Sequence, residues 1–353
     1  MQESGLRLRL GAILLTLLAL VTYFFLLPER MSTDLSARSL WSVSLMEAPD
    51  LAEGGSRIAF SAGPRYGYFS SDGQVFFVAE HPGGAQISDT SYILPSSSGG
   101  FSLFSAEGEE RAVLVGTGPF FSAGRAFSGS RDGMTVNSFD SYGSLQWSYS
   151  FPSQLSAFDA SSSLVVGGTV DGILEGVAMD GTRAFSFAPG GSRLDVVLGV
   201  AVSPSGDRVA AMTGIDSQRL VVLGRGGGDY RVISHRYLES NYREPTRLAF
   251  LQDERYILYR RSDGVGVWGI DGNCDEILPV AAQDFSVAYD PAYDVAYLVA
   301  LNGGMSTLVA FRPPARILGK VSLPDATMYI NIIGSSVYFG NATTVSRLDF
   351  VEE

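Results

Sequence analysis

Histidine and cysteine are nearly absent from this chain. Its 353 residues include one cysteine, Cys274, and two histidines, His81 and His235. A single cysteine excludes an intramolecular disulfide, a cysteine-based zinc site and a two-cysteine redox motif. Two histidines leave little material for a catalytic triad or an imidazole metal site. The sequence therefore predicts no catalytic residue, no metal site and no cofactor.

Positive charge is also scarce. Lysine and arginine total 25 against 37 aspartates and glutamates, which gives a net charge of −12. A nucleic-acid partner therefore has no electrostatic support. Glycine, in contrast, is abundant at 41 residues while charged residues make up only 18%. This composition is typical of many tight turns between apolar strands.

One long apolar run stands near the N-terminus. Residues 10–27 contain no charged side chain and would span roughly 27 Å as a helix, near the lower limit for a bilayer. Arg7 and Arg9 precede the run, and mixed charges follow it. The positive-inside rule places residues 1–9 in the cytoplasm and the main body outside. We expect an uncleaved signal-anchor helix at 10–27 and a polar tether at 28–37.

A cleaved signal peptide is the alternative interpretation of this run. The run is longer than an ordinary signal-peptide core, and no small-x-small cleavage site follows it. Together these features predict a single-pass protein of the bacterial inner membrane, with its folded domain in the periplasm.

The stretch from Leu155 to Pro189 contains four short runs rich in β-prone residues. Asp171-Gly172 and Asp180-Gly181 separate the later runs, and Asp-Gly between such runs is a strong hairpin signal because glycine accepts a positive φ. Runs this short are not helices of ordinary length. We interpret the stretch as an antiparallel four-stranded meander.

The third run of this unit recurs down the chain at intervals typical of propeller blades. Seven copies begin near residues 101, 134, 173, 219, 265, 306 and 344. The last copy leaves its blade one strand short, and the isolated strand Arg38–Leu45 supplies the missing one. The sequence thus predicts an all-β propeller over residues 38–353, with seven four-stranded blades closed by the N-terminal strand. Residues 80–100 are interpreted as a projecting loop. Additional strands there would change the blade count by one.

Two segments carry a resemblance to known families. Val200 to Ala211, VAVSPSGDRVAA, resembles the first hairpin of WD40-type blades. Val165 to Ile173, VVGGTVDGI, resembles the quinoprotein-like (PQQ-like) blade of bacterial envelope propellers. The resemblance implies a scaffold for protein contacts.

Arginine and tyrosine are concentrated between residues 225 and 261. Both types are favoured at protein-interaction hot spots, and guanidinium groups bind phosphate or carboxylate bidentately. The stretch therefore predicts a binding surface for an acidic partner or for anionic lipid headgroups. The candidate partner-binding residues are Arg231, Arg236, Tyr237, Tyr242, Arg243, Arg247, Tyr256, Arg260 and Arg261. The alternative is that these side chains project outward from alternating strands and are neutralised by nearby carboxylates.

The predicted function is a non-catalytic, membrane-anchored propeller scaffold that binds other envelope or membrane proteins. Two alternatives use the central channel instead. One is a propeller enzyme of the hydrolase or lactonase type, and the other is a sensor of a small ligand.

Overall fold

In the computed structural model, the turn-separated runs of the sequence form β-strands. The structure describes residues 16–17, 35–46, 56–96, 99–239, 243–272, 274–324 and 327–352. Within these ranges, 31 strands form eight antiparallel sheets. We number the sheets as blades 1 to 8 in chain order.

Blade 1 comprises β2 (Ile58–Ala62), β3 (Arg65–Phe69) and β4 (Val75–Glu80). Blade 2 comprises β5 (Gln86–Ile87), β6 (Ser91–Pro95), β7 (Phe101–Ser105) and β8 (Glu110–Leu114). Blade 3 comprises β9 (Thr117–Ser122), β10 (Arg125–Gly129), β11 (Thr135–Phe139) and β12 (Leu145–Ser150). Blade 4 comprises β13 (Leu155–Ala160), β14 (Leu164–Thr169), β15 (Leu174–Ala178) and β16 (Arg183–Phe187).

Blade 5 comprises β17 (Val197–Val202), β18 (Arg208–Thr213), β19 (Arg219–Gly226) and β20 (Asp229–Tyr237). Blade 6 comprises β21 (Leu248–Leu251), β22 (Tyr256–Arg260), β23 (Val265–Gly269) and β24 (Asp275–Leu278). Blade 7 comprises β25 (Asp284–Asp290), β26 (Val295–Asn302), β27 (Met305–Arg312) and β28 (Arg316–Ser322). Blade 8 comprises β29 (Tyr329–Ile333), β30 (Ser336–Gly340), β31 (Thr344–Glu352) and β1 (Leu35–Ser44).

The predicted four-stranded unit is confirmed as blade 4. Its strands follow one another across the sheet as a simple meander. Gly172 and Gly181 have φ values of +84° and +85°. Both turns therefore use the positive φ that glycine adopts without strain. All seven predicted third runs are third strands of their sheets.

The prediction of seven four-stranded blades is wrong. The described residues form eight sheets, and one of these, blade 1, has three strands. Residues 80–100, interpreted above as a loop, contain β5 and β6 and so begin a separate blade. The pattern concealed this blade for two physical reasons. The strand β5 is only two residues long, and β4 leads through His81-Pro82-Gly83-Gly84 into β5 without a fourth strand.

Closure of the ring by the N-terminal strand is confirmed. The strand β1 pairs antiparallel with β31 from Leu35↔Glu352 to Ser44↔Thr344. It begins at Leu35, so the last three residues of the predicted tether belong to the propeller. Trp41 of β1 also packs against blade 1, because its ring centroid lies 6.0 Å from that of Phe69.

The first strands of the blades form the inner ring. They contact one another as β2 with β5, β5 with β9, β13 with β17, β17 with β21, β21 with β25, β25 with β29, and β29 with β2. Between neighbouring sheets lie eight apolar clusters, one at each junction in the described part of the chain. The core is therefore divided among the junctions.

Inner strands of neighbouring blades run in the same direction at the junction of blades 4 and 5. Near the start of β13, the Ser156 hydroxyl donates to the Val197 carbonyl at 2.6 Å. Near its end, the Val202 amide donates to Asp159 at 2.7 Å. We call the face where first strands of blades 2 to 8 end the upper face, and the opposite face the lower face.

Blade 1 runs in the opposite direction. Its inner strand β2 begins beside the end of β5, where the Ala59 amide donates to Asp89 at 3.0 Å. It ends beside the residue before β5, where the Ser61 hydroxyl donates to the Ala85 carbonyl at 3.1 Å. In an inverted blade of three strands, the third strand ends on the lower face, where the first strand of the next blade begins. This geometry explains why blade 1 reaches blade 2 without a fourth strand.

The predicted membrane span at 10–27 lies outside the described residues except for Thr16 and Leu17, which are helical. Within the described ranges, no helix has the length and apolar character needed for a bilayer span.

Loss of Trp41 should weaken closure of the ring. The indole contacts blades 1 and 8, and its Nε1 donates to the Ser71 carbonyl at 3.2 Å. We expect Trp41→Ala to lower the free energy of unfolding by about 2–3 kcal/mol, since the side chain is half-buried. Leu40→Ala is the matched control, because Leu40 is 46% exposed. Urea unfolding followed by circular dichroism tests this, and equal losses in both variants would contradict it.

Packing at the junction of blades 4 and 5 leaves no room for a methyl group at Gly168. A Cβ there would lie 2.3 Å from Cγ1 of Val197, which is fully buried. We expect Gly168→Ala to cost about 1–3 kcal/mol through overpacking. A Cβ added at Gly129 would lie 3.7 Å from its nearest neighbouring atom. Gly129→Ala should therefore be neutral or stabilising, and thermal unfolding of the pair decides whether the predicted difference exists.

Candidate functional site

Two adjoining clefts open on the upper face. The first has a volume of about 410 Å³ and lies among blades 2, 3 and 4. The second, about 450 Å³, lies over the inner strands of blades 4, 5 and 6. They share Ala123, Ser161 and Ser162. Together they form a depression, the upper cleft, to which five blades contribute.

The lining of the upper cleft comes from hairpin turns and from the strands beside them. Thr90, Ser141, Ser161 and Ser162 supply hydroxyl groups, and Phe121 adds an aromatic surface. Small side chains at these turns keep the cleft open. Arg125 and Asp140 add one charge of each sign. Such a mixed surface of hydroxyl, apolar, aromatic and charged groups is typical of protein interfaces.

Asp159 is the acidic group of the inner wall. Its carboxylate accepts the Val202 amide at 2.7 Å and so connects the first strands of blades 4 and 5. Burial raises the pKa of Asp159, although backbone N–H groups and the charge of Arg247 act in the opposite direction. The carboxyl group thus joins the first strands of blades 4 and 5.

Among the sequence-predicted residues, the structure brings Arg236 and Arg261 to one carboxylate between blades 5 and 6. Arg236 lies 2.6 Å from Asp275, and Arg261 lies 3.9 Å from it. The hydroxyl of fully buried Tyr259 donates to the same carboxylate at 3.1 Å. Arg261 also forms an ion pair with Asp263 at 2.9 Å. These charges are engaged within the chain.

The other predicted residues lie apart from this cluster. Arg247 pairs with Asp284 at 2.9 Å where β25 begins, and Arg260 pairs with Glu244 at 3.2 Å. Arg231 is exposed on β20, 3.8 Å from Asp229. Tyr237 ends β20, Arg243 is exposed before β21, and Tyr256 packs between blades 6 and 7. Tyr242 lies outside the described residues.

Metal-binding geometry is not found within the residues that the structure describes. No group of three or more His, Cys, Asp or Glu side chains in those ranges is placed to hold an ion. Cys274 is half-buried, and burial raises the pKa of its thiol. The thiol is therefore protonated at neutral pH, in the less reactive form.

Comparison with known proteins agrees with this geometry. A family model described as a β-propeller protein matches residues 9–353. This chain belongs to that family. An uncharacterized protein of Treponema pallidum (strain Nichols) is 27% identical over 264 residues, which cover 74% of this chain and 70% of that protein. The crystal structure of BamB from Moraxella catarrhalis superposes with a TM-score of 0.60 at 14% identity, covering 89% of this chain and all of that one. At this identity the likeness shows the shared fold.

Sequence reasoning missed the upper cleft of this β-propeller protein. Its lining is contributed by turns that are distant in sequence, and serine or alanine in a turn carries no distinctive signal. The only sequence signal near it was the run of three serines, Ser161 to Ser163, between adjacent β-runs. The arginine-rich stretch was conspicuous by composition, but its positions on alternating strands point in different directions.

Asp159 should make stability depend on pH. Burial raises the pKa of Asp159 in the folded protein above its ordinary value of 3.8. The free energy of unfolding of the wild type therefore decreases as the pH rises from the unfolded-state pKa through the folded-state pKa. Asp159→Asn keeps an acceptor for Val202 and does not titrate. We expect the stability of Asp159→Asn, measured relative to the wild type, to be greater at pH 8 than at pH 4. Asp159→Ala, which removes the acceptor, should cost about 1–3 kcal/mol. Urea titrations at both pH values test this, and a pH-independent difference for Asn would refute it.

Proposed function

We propose that this β-propeller protein is a non-catalytic, membrane-tethered scaffold that binds an extended segment of another envelope protein in the upper cleft. The observation that carries the proposal is the cleft itself, a depression shared by five blades and made of two parts of about 410 and 450 Å³. Its two parts adjoin one another across five blades, and its walls offer both hydrogen-bonding groups and apolar surface, as protein interfaces do.

Rigidity supports this role. The cleft is formed by short turns on strands whose sheets pack against both neighbours through buried apolar clusters. Binding to a preorganised surface costs less ordering entropy than binding to loops that must fold. The propeller therefore presents its turns at fixed separations, which is the property a scaffold requires.

A tether adds to the proposed role by confining the propeller to the membrane surface. We place residues 10–27 in the bacterial inner membrane, residues 1–9 in the cytoplasm and the propeller in the periplasm, as the charge distribution favours. Confinement raises the effective concentration of the cleft for partners in the same membrane.

Blocking the upper cleft should abolish partner capture. The full-length protein, expressed in its native membrane with a photo-crosslinking side chain at Ser162, should yield a reproducible adduct with one or two envelope proteins. Adding Ala123→Trp, which places a large side chain in both clefts, should reduce that adduct at least tenfold. Met305→Trp is the matched control, because Met305 is 61% exposed on the lower face. It should leave the adduct unchanged.

Two outcomes would overturn the proposal. The same yield in the Ala123→Trp variant would show that the cleft is not the binding surface. Release of the full-length protein from membranes by alkaline carbonate would show that residues 10–27 do not anchor it. Protease accessibility of the propeller in spheroplasts tests the orientation independently.

A further inference from the structure

The apolar cluster between blades 7 and 8 is open at the upper face. A groove of about 330 Å³ extends from it toward the rim. Val295, Tyr297, Leu318 and Phe350 form its floor and walls, and each of these side chains is buried. The rings of Tyr297 and Phe350 are stacked with centroids 5.6 Å apart. The floor of the groove is thus apolar and closely packed.

Positive charge lies at the mouth of this groove. Arg312, at the end of β27, lines it, and its guanidinium lies 3.8 Å from Asp294. The other oxygen of Asp294 already accepts hydrogen bonds from Gln252 at 2.5 Å and from Tyr289 at 2.7 Å. The Arg312 Nε is buried without a hydrogen-bond partner among the described residues. The charge of Arg312 is therefore only partly satisfied within the chain.

Hydroxyl donors accompany this charge. Burial raises the pKa of Tyr297 to about 12, with nearby carboxylates and Tyr293 adding to the effect. Its hydroxyl is therefore protonated at physiological pH. Tyr293 is 64% exposed beside the groove. The site thus combines an apolar slot with Arg312, its neighbour Asp294 and the exposed phenol of Tyr293 at the entrance. An amphiphile with a negatively charged head would place its chain in the slot and its head on Arg312.

The groove lies where the chain enters the propeller. Leu35, the first residue of β1, forms part of its wall. From Leu27, the end of the apolar run, to Leu35 the chain extends at most about 30 Å. If the run is in the membrane, as proposed above, the groove is held close to the bilayer surface. Exposed Ile317 and Ile333 lie at the upper ends of the same two blades.

We propose that this groove binds a membrane phospholipid, with an acyl chain among Tyr297, Leu318 and Phe350 and the phosphate on Arg312. The volume lies within the range of ligand pockets. A guanidinium is well suited to phosphate because it offers several N–H donors in one plane. The inference rests on the proposed tether for the supply of lipid, and it gives the propeller a second contact with the membrane.

The test uses the full chain in proteoliposomes that contain a phosphatidylglycerol with a diazirine in its acyl chain. After irradiation, mass spectrometry should find lipid adducts on the strands that carry Tyr297, Leu318 and Phe350. Val351→Trp, at the half-buried edge of the groove, should reduce these adducts at least fivefold. Adducts confined to residues 1–34, or unchanged yield in Val351→Trp, would overturn the proposal, since either result means that the groove is filled by something else or is empty.

The role of Arg312 is tested by comparing this probe with a diacylglycerol that has the same photoreactive chain and no phosphate. The wild type should favour the phosphatidylglycerol probe by about tenfold, the contribution of one charged hydrogen bond. Arg312→Gln should abolish the preference, whereas Arg131→Gln, at an exposed turn on the lower face, should retain it. A preference that survives in Arg312→Gln refutes the assigned phosphate contact.

Flotation of the same proteoliposomes separates failure of the tether from failure of the groove. A chain that floats but gives no groove adducts retains its tether and disproves the lipid site. A chain that does not float disproves the tether. In that case, adducts formed in lipid–detergent micelles still decide whether the groove binds phospholipid.

Discussion

Burial of one sheet against the next is the constraint on which this molecule depends. A propeller blade is a twisted sheet with apolar residues on both faces, and neither face is covered until a neighbour packs on each side. The eight junctions therefore stabilise one another only when the ring is complete. Pairing of β1 with β31 is what completes it. The rigid upper cleft and the groove between blades 7 and 8 both follow from this arrangement.

Blade 1 shows that the ring tolerates a change of strand direction within one blade. Junction packing depends on which side chains face the neighbour, and the direction of the chain matters less because both orientations of a strand present alternate residues. The contacts of Ala59 and Ser61 with blade 2 fix the inverted direction. Within the described residues, β4 pairs with β3 alone. The irregular blade lies next to the closing strand, where the chain enters the ring.

Much of the fold could be predicted from sequence because its determinants are local. Asp171-Gly172 and similar turns marked the hairpins, and seven third strands and the closing strand were identified. The blade count failed at β5, because a two-residue strand has no periodicity to detect. The inversion of blade 1 depends on packing between blades, which no local pattern records. The upper cleft was missed for the same reason, since its walls meet only in the folded ring. The arginine-rich stretch remains a prediction as a partner surface.

The position of the closing strand has a consequence for how the chain matures. During synthesis β1 is made early and β31 last, yet Leu35 must pair with Glu352. The entropic cost of joining such distant segments delays closure, and non-local pairing is slow. Until the final blade is made, the edges and apolar sheet faces of the first and last blades are uncovered, and such surfaces aggregate readily. These surfaces stay exposed until β31 pairs with β1, so the incomplete ring is the state most prone to aggregation.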